Sequence, residues 1–172
     1  MEHFKYVKGF EDDDTLARQT MPAPAQLLAE LYRGDNGKIT DAVYPDREEL
    51  LQDIAAAYRQ VIRDLYHAGC RNIQFDDCTW GMFCDTEYWN KRQKGAVSLK
   101  AIAEEYLRLN NMALEDRPKD LVITTMYAGA ITIPPGRPGA ATAPLRRCCS
   151  AGRMWMLFIW NSMMNGPEAS NR

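Results

Sequence analysis

Two adjacent carboxylates close the stretch Asn72-Ile73-Gln74-Phe75-Asp76-Asp77, and Cys78 and Trp80 follow directly. Ile73 and Phe75 alternate with polar residues, the two-residue period of a half-buried strand. In parallel α/β folds, binding sites gather at the carboxyl ends of strands, where Asp76 and Asp77 stand. A carboxylate there can hold a cationic group such as a substrate ammonium, with Trp80 as an aromatic wall. The same residues also fit two solvated loop acids and a packed Trp, and strand register decides which acid points where. Asp76, Asp77 and Trp80 are the candidate substrate-binding residues. His67, Cys70, Cys78 and Cys84 have metal-binding chemistry, but their spacing matches neither C-x-x-C nor H-E-x-x-H. His67 and Cys70 end a long helical pattern, a structural place. The neighbours Cys148 and Cys149 make a poor tetrahedral corner. These patterns assign no catalytic residue and no metal ligand.

The acids need a scaffold to hold them. Tyr44-Pro45-Asp46 opens a helix with Asp46 as N-cap and Glu49 at capping-box spacing. Leu50, Leu51, Ile54, Tyr58, Val61, Ile62 and Leu65 recur at helical spacing, and Gly69 suits the left-handed position after a helix end. Ser98 caps a second helix with Leu99, Ile102, Ala103, Tyr106 and Leu107 inward, and Pro118 prevents its continuation. Leu121-Val122-Ile123-Thr124-Thr125 reads as a buried strand. Upstream, Leu16 to Thr20 reads as a strand and Ala25 to Arg33 as a short helix. Strand, helix and strand at these lengths form βαβ units on a parallel sheet, an α/β fold with about three strands. A complete (β/α)8 barrel typically takes ~250 residues, whereas an open doubly wound sheet fits 172. No G-x-G-x-x-G or G-x-x-x-x-G-K-[ST] follows a strand, so a phosphate cradle has no support.

Composition narrows the class. Apolar residues make up 46% and charged residues 26%, a globular and not a disordered balance. The net charge of -2 gives no basic nucleic-acid surface. No apolar run approaches the ~20 residues of a membrane span, and MEHFKYVKGFEDDD shows no apolar secretory core. Five cysteines without paired spacing suit a reducing cytoplasm. The expected partners are small molecules, without nucleic acid or membrane.

The averages conceal a break. Residues 126–172 carry five Arg, no Lys, no His and the single acid Glu168. Residues 1–125 hold the other 16 basic and 22 acidic side chains. PPGRPGAATAP and RRCCSAGRMWMLFIWNSMMNG keep neither helical nor strand periodicity. They are too rich in Trp and Met for a linker, and too interrupted by Pro and Gly for a core element.

EHFKYVK, ARQTMPAPAQLL, YPDREELLQDIAAAYRQVIRDLYHAGCRNIQFDDCTW and EDRPKDLVITT together resemble the catalytic domain of cobalamin-independent methionine synthase, in its short single-barrel bacterial form. The resemblance runs almost continuously over residues 2–125 and is most specific in GCRNIQFDD. It implies a (β/α)8 TIM barrel, present here as a partial barrel fragment over 1–125. It implies zinc-dependent methyl transfer from 5-methyltetrahydropteroyl-glutamate to homocysteine, in methionine biosynthesis. In the family, zinc is held by His and Cys of an H-x-C motif after a strand, a Glu at the end of the next strand and a later Cys. The acid at Asp76 is expected to hold the substrate amino group, and Thr20 to Pro24 to lie at the barrel mouth.

After Thr125, where the family has H-x-C, this chain has Met126-Tyr127-Ala128. The genetic code offers an explanation. Let each codon be rebuilt from the third base of the preceding codon and the first two of the current one. Met and Trp have single codons, so several outcomes are forced. Met126-Tyr127 and Met154-Trp155 become Val, Trp155-Met156 and Met163-Met164 become Asp, and Trp160-Asn161 and Met164-Asn165 become Glu. Thr125-Met126 allows His and Tyr127-Ala128 allows Cys, which together restore H-V-C. The tail 126–172 therefore reads as out of frame, and the start resembles an internal family position, so the first strands are expected to be missing. The chain as written is expected to bind no zinc and to transfer no methyl groups. Two alternatives stand beside this reading. One is another barrel methyltransferase acting on a different thiol. The other is a non-catalytic interaction module whose apolar run Met154 to Trp160 docks on a partner.

Overall fold

The computed structural model describes residues 1–82 and 99–127. Six helices and three strands are described: α1 (Glu2–Lys8), β1 (Gln19–Pro22), α2 (Pro24–Leu31), α3 (Asn36–Val43), α4 (Arg47–His67), β2 (Asn72–Asp77), α5 (Thr79–Met82), α6 (Leu99–Ala113) and β3 (Val122–Tyr127). The chain divides into two compact units. The first comprises Met1–Asp77 and Arg108–Met126, and the second contains Cys78–Leu107 and begins again at Tyr127. The proposed tail 126–172 lies outside the described residues from 128 onward, and so do Ser98, Cys84, Cys148 and Cys149.

The strands form one sheet in the order β1-β2-β3. β1 and β2 are parallel, with Thr20 opposite Gln74 and Pro22 opposite Asp76. On the other side, Val122 N–H donates to Arg71 O and Thr124 Oγ1 to Ile73 O. Those contacts advance in the same direction along both strands, the parallel sense. The α/β architecture with a parallel sheet follows the sequence expectation.

α4 carries the packing. Asp46 accepts a hydrogen bond from Glu48 N at 2.8 Å and so caps its first turn. Leu50, Leu51, Ile54, Ala55, Tyr58, Ile62 and Leu65 are buried along one stripe. Val61, expected inward, is exposed at the edge of that stripe. The helix ends in a Schellman turn. Gly69 N–H donates to Tyr66 O and Cys70 N–H to Leu65 O, both at 2.9 Å, which satisfies two carbonyls of the last turn. Gly69 has φ +92°, and a Cβ there would come within 2.6 Å of Lys8 Cε on α1. Tyr58 meets Phe75 edge-on with ring centroids 6.0 Å apart, so α4 covers the β2 face that carries Ile73 and Phe75.

The first strand is displaced from its expected place. Leu16 is 71% exposed, and the ladder starts at Gln19 and runs through Pro22. Pro22 is tolerated because β1 ends there. The helix expected from Ala25 to Arg33 is α2, which begins with Pro24 in its first turn. α1 and α3 escape a periodicity reading because each buries a single side chain, Phe4 and Thr40 respectively. Thr40 Oγ1 donates to Leu31 O at 2.7 Å, an anchor without apolar spacing. Of the expected inner face of α6, Ala103, Tyr106 and Leu107 are buried. α6 stops at Ala113, ahead of Pro118, and Asp116 takes φ +60° in the turn that follows. No helix among the described residues is long and apolar enough to cross a membrane.

Candidate functional site

β2 separates the two candidate acids. Its burial alternates, so Ile73, Phe75 and Asp77 enter the covered layer and Gln74 and Asp76 reach the opposite face. Strand geometry requires this split for neighbouring residues.

Asp77 is completely buried. Its Oδ2 accepts a hydrogen bond from Asn110 Nδ2 at 3.0 Å. Asn110, 2% exposed, turns its Oδ1 to the backbone N–H of Ala25 at 2.9 Å. α2 has no side-chain cap of its own at Ala23, so Asn110 supplies from α6 the acceptor that an N-cap residue would normally give. Tyr58 Oη donates to Pro22 O at 2.9 Å. Burial first, and the Asp77 charge second, push the Tyr58 hydroxyl up to about 12. This buried network ties the end of β1 and the start of α2 to β2, α4 and the end of α6. In this structure the Asp77 carboxylate is enclosed by protein. Asn110 was missed in the sequence. Its signal is a polar residue at an inward helical step, four after Tyr106 and three before Ala113.

Asp76 has the opposite setting. Its backbone carbonyl accepts from Ala23 N at 3.0 Å, which holds the residue against the junction of β1 and α2. Its side chain is partly exposed. Oδ1 accepts from Gln74 Nε2 at 2.9 Å, and Gln74 Oε1 accepts from Arg18 Nη1 at 3.1 Å. Gln74 Nε2 also faces Met126 Sδ at 3.8 Å. Thr20 and Pro22 on β1 and Thr124 and Met126 on β3 are exposed, and Met126 retains 47% of its surface. Asp76 thus stands near the carboxyl end of its strand with one oxygen, Oδ2, unpaired among the described residues. That arrangement can take up an ammonium group in a charge-assisted hydrogen bond.

Trp80 is half-buried in α5 and belongs to the second unit, as do Cys78 and Thr79. Of the possible metal ligands, His67 and Cys70 have different surroundings. His67 is exposed at the end of α4, whereas Cys70 is fully buried with its Sγ donating to Asn72 O at 3.3 Å. Burial pushes the Cys70 thiol up, away from the thiolate that metals bind. Among the described residues no three His, Cys, Asp or Glu side chains gather where they could hold a metal ion.

No protein-family model matches the chain. A solved structure from Listeria monocytogenes, of a provisionally assigned vitamin-B12 independent methionine synthase, is 33% identical with a TM-score of 0.57. The chain is similar to it in both sequence and fold. That likeness covers 74% of this chain and 36% of the Listeria chain. The uncharacterized protein YxjH of Bacillus subtilis is 33% identical over 112 residues, 61% of this chain and 26% of YxjH. YxjG of the same organism is 27% identical over 125 residues, 72% of this chain and 31% of YxjG. The chain therefore spans about a quarter to a third of the curated relatives it matches. Over the matched part it has a methionine synthase-like fold.

Proposed function

We propose that this fold is part of a (β/α)8 barrel methyltransferase, and that Asp76 anchors the ammonium of an amino-acid thiol such as homocysteine. The observation that carries the reading is the split between the acids: Asp77 is buried with a bond to Asn110, and Asp76 has one oxygen unpaired among the described residues. In the reaction proposed for the family to which the chain has its resemblance, a methyl-folate gives its methyl group to the thiol. Bound zinc would supply the thiolate in that chemistry. The residues here do not fit the metal. Met126 and Ala128 stand where the resemblance has His and Cys, and a thioether and a methyl group are no substitute for imidazole and thiolate. We therefore derive no step through zinc. What this chain's own residues do is bind and orient: Asp76 takes the ammonium, while the Ala23 N–H holds the Asp76 backbone in place.

The shifted reading frame supports the same assignment from a different side. It allows His at position 126, and the side chain now at 126 lies 3.8 Å from Gln74 Nε2, itself bonded to Asp76. Resequencing the gene across codons 120 to 130 tests this. An unambiguous present frame with no H-x-C in the neighbouring one ends the frameshift proposal. For the activity, metal analysis beside a thiol-methylation assay is expected to give neither zinc nor turnover for the chain as written. Stoichiometric zinc together with turnover would overturn the assignment of the site.

A further inference from the structure

Gln74 stands between a cation and an anion on the open face, and the order of donors and acceptors along that row has one direction. A guanidinium can only donate, so Arg18 Nη1 requires the Oε1 end of the Gln74 amide at 3.1 Å. A carboxylate can only accept, so Asp76 Oδ1 requires the Nε2 end at 2.9 Å. A flipped amide would set oxygen against the carboxylate and N–H against the guanidinium, two repulsive contacts. The amide is thereby locked from both sides. Among the described residues its second N–H faces the weak acceptor Met126 Sδ, which competes little with Asp76.

We propose that Gln74, oriented by Arg18, is a positioning residue that holds the Asp76 carboxylate by Oδ1 and presents Oδ2 to the ammonium of an α-amino-acid ligand. The inference rests on the reading of Asp76 as the ammonium anchor and adds what fixes its geometry. A carboxylate already held by one oxygen loses less rotational freedom when a ligand binds the other. Polarisation along the row from Arg18 strengthens the Gln74 bond. The row acts on the ammonium end of the ligand alone, and the thiol end is indifferent to it. Gln74 is the residue of β2 able to do this, because the alternation that buries Phe75 and Asp77 brings 74 and 76 to one face.

Two probes separate the ends of the ligand: L-homocysteine, and 4-mercaptobutanoate, which lacks only the ammonium. Both are titrated into the full chain and followed by NMR or calorimetry. Gln74→Leu is expected to weaken L-homocysteine by about threefold to tenfold, the scale of one ordinary hydrogen bond acting through Asp76, and to leave 4-mercaptobutanoate unchanged. Arg18→Met is expected to weaken L-homocysteine about twofold in the unaltered chain and not at all in the Gln74→Leu background, as serial action requires. Arg18 is exposed, so its variant keeps the question decidable even where Gln74→Leu does not fold. Equal losses for both ligands, or additive losses for the two substitutions, overturn the positioning role. An intact response to Gln74→Leu beside a weakened Asp76→Asn overturns the role of Gln74 alone. No L-homocysteine binding to the unaltered chain, or an intact Asp76→Asn, overturns the ammonium anchor and this inference with it.

Discussion

Along β2, side chains at 73, 75 and 77 enter the helix-covered layer, while those at 74 and 76 reach a face with exposed neighbours on β1 and β3. The covered side buries Phe75 under Tyr58 and closes a polar network over Asp77. The open side carries a row of cation, amide and carboxylate that ends in an oxygen unpaired among the described residues. Two aspartates adjacent in sequence therefore have different chemistry. One is enclosed beside the start of α2; the other is partly exposed. A strand of period two converts a single step along the chain into a change of environment.

If the covered side is structural, its substitutions should act on stability. The largest effect is expected for Phe75→Ala, which empties the centre of that layer and should cost about 3–5 kcal/mol in urea unfolding. A loss below about 1 kcal/mol would mean that the ring is not the centre of a packed layer. Asn110→Leu comes next. It leaves the Ala25 N–H and Asp77 Oδ2 without their Asn110 partner, and an unpaired buried group costs about 1–3 kcal/mol. A stability close to wild type would show that water or another group replaces the amide.

Tyr58 gives a smaller, pH-dependent contribution. Its hydroxyl is raised from 10.0 to about 12 in the folded state. The unfolded chain releases the proton first, so the contribution is complete below pH 10 and is lost as the pH rises toward 12. Unfolding midpoints measured between pH 9 and pH 12 should fall more steeply for the native chain than for Tyr58→Phe. Parallel curves would place Tyr58 in contact with solvent.

Asp76→Asn should have the least effect on stability, within about 0.5 kcal/mol, as for surface substitutions away from packed features. Its effect belongs to binding: removal of the charge should weaken an amino-acid ligand about tenfold to a hundredfold. Asp77→Asn sharpens the contrast, because it should unsettle the fold and leave no selective loss of the ammonium contact. The reverse result, with Asp77→Asn selective and Asp76→Asn silent, would exchange the two faces of β2.

Much of this organisation is legible along the chain because it depends on local periodicity. α4 was expected from its apolar stripe and its Asp46 cap, and Gly69 from the left-handed turn that a Schellman ending needs. Strand β2 was expected from alternation, with both acids at its end. α1 and α3 were not legible, since one buried side chain each gives no period. Apolar Leu16 suggests a strand that begins there, yet its side chain is exposed and the ladder begins three residues later.

The sequence by itself determined that two carboxylates would close a strand of a parallel sheet, because composition and period are properties of neighbouring residues. Only the tertiary structure decided which carboxylate is enclosed and which is partly exposed. Asp77 is held by Asn110, 33 positions away, and the same amide caps a helix whose own N-cap is an alanine. Asp76 is held by Gln74, which Arg18 orients across 56 positions. Hydrogen bonds over such separations depend on how helices and strands meet, and a two-residue period cannot specify them. It separates the acids onto opposite faces, and packing then determines which face is enclosed.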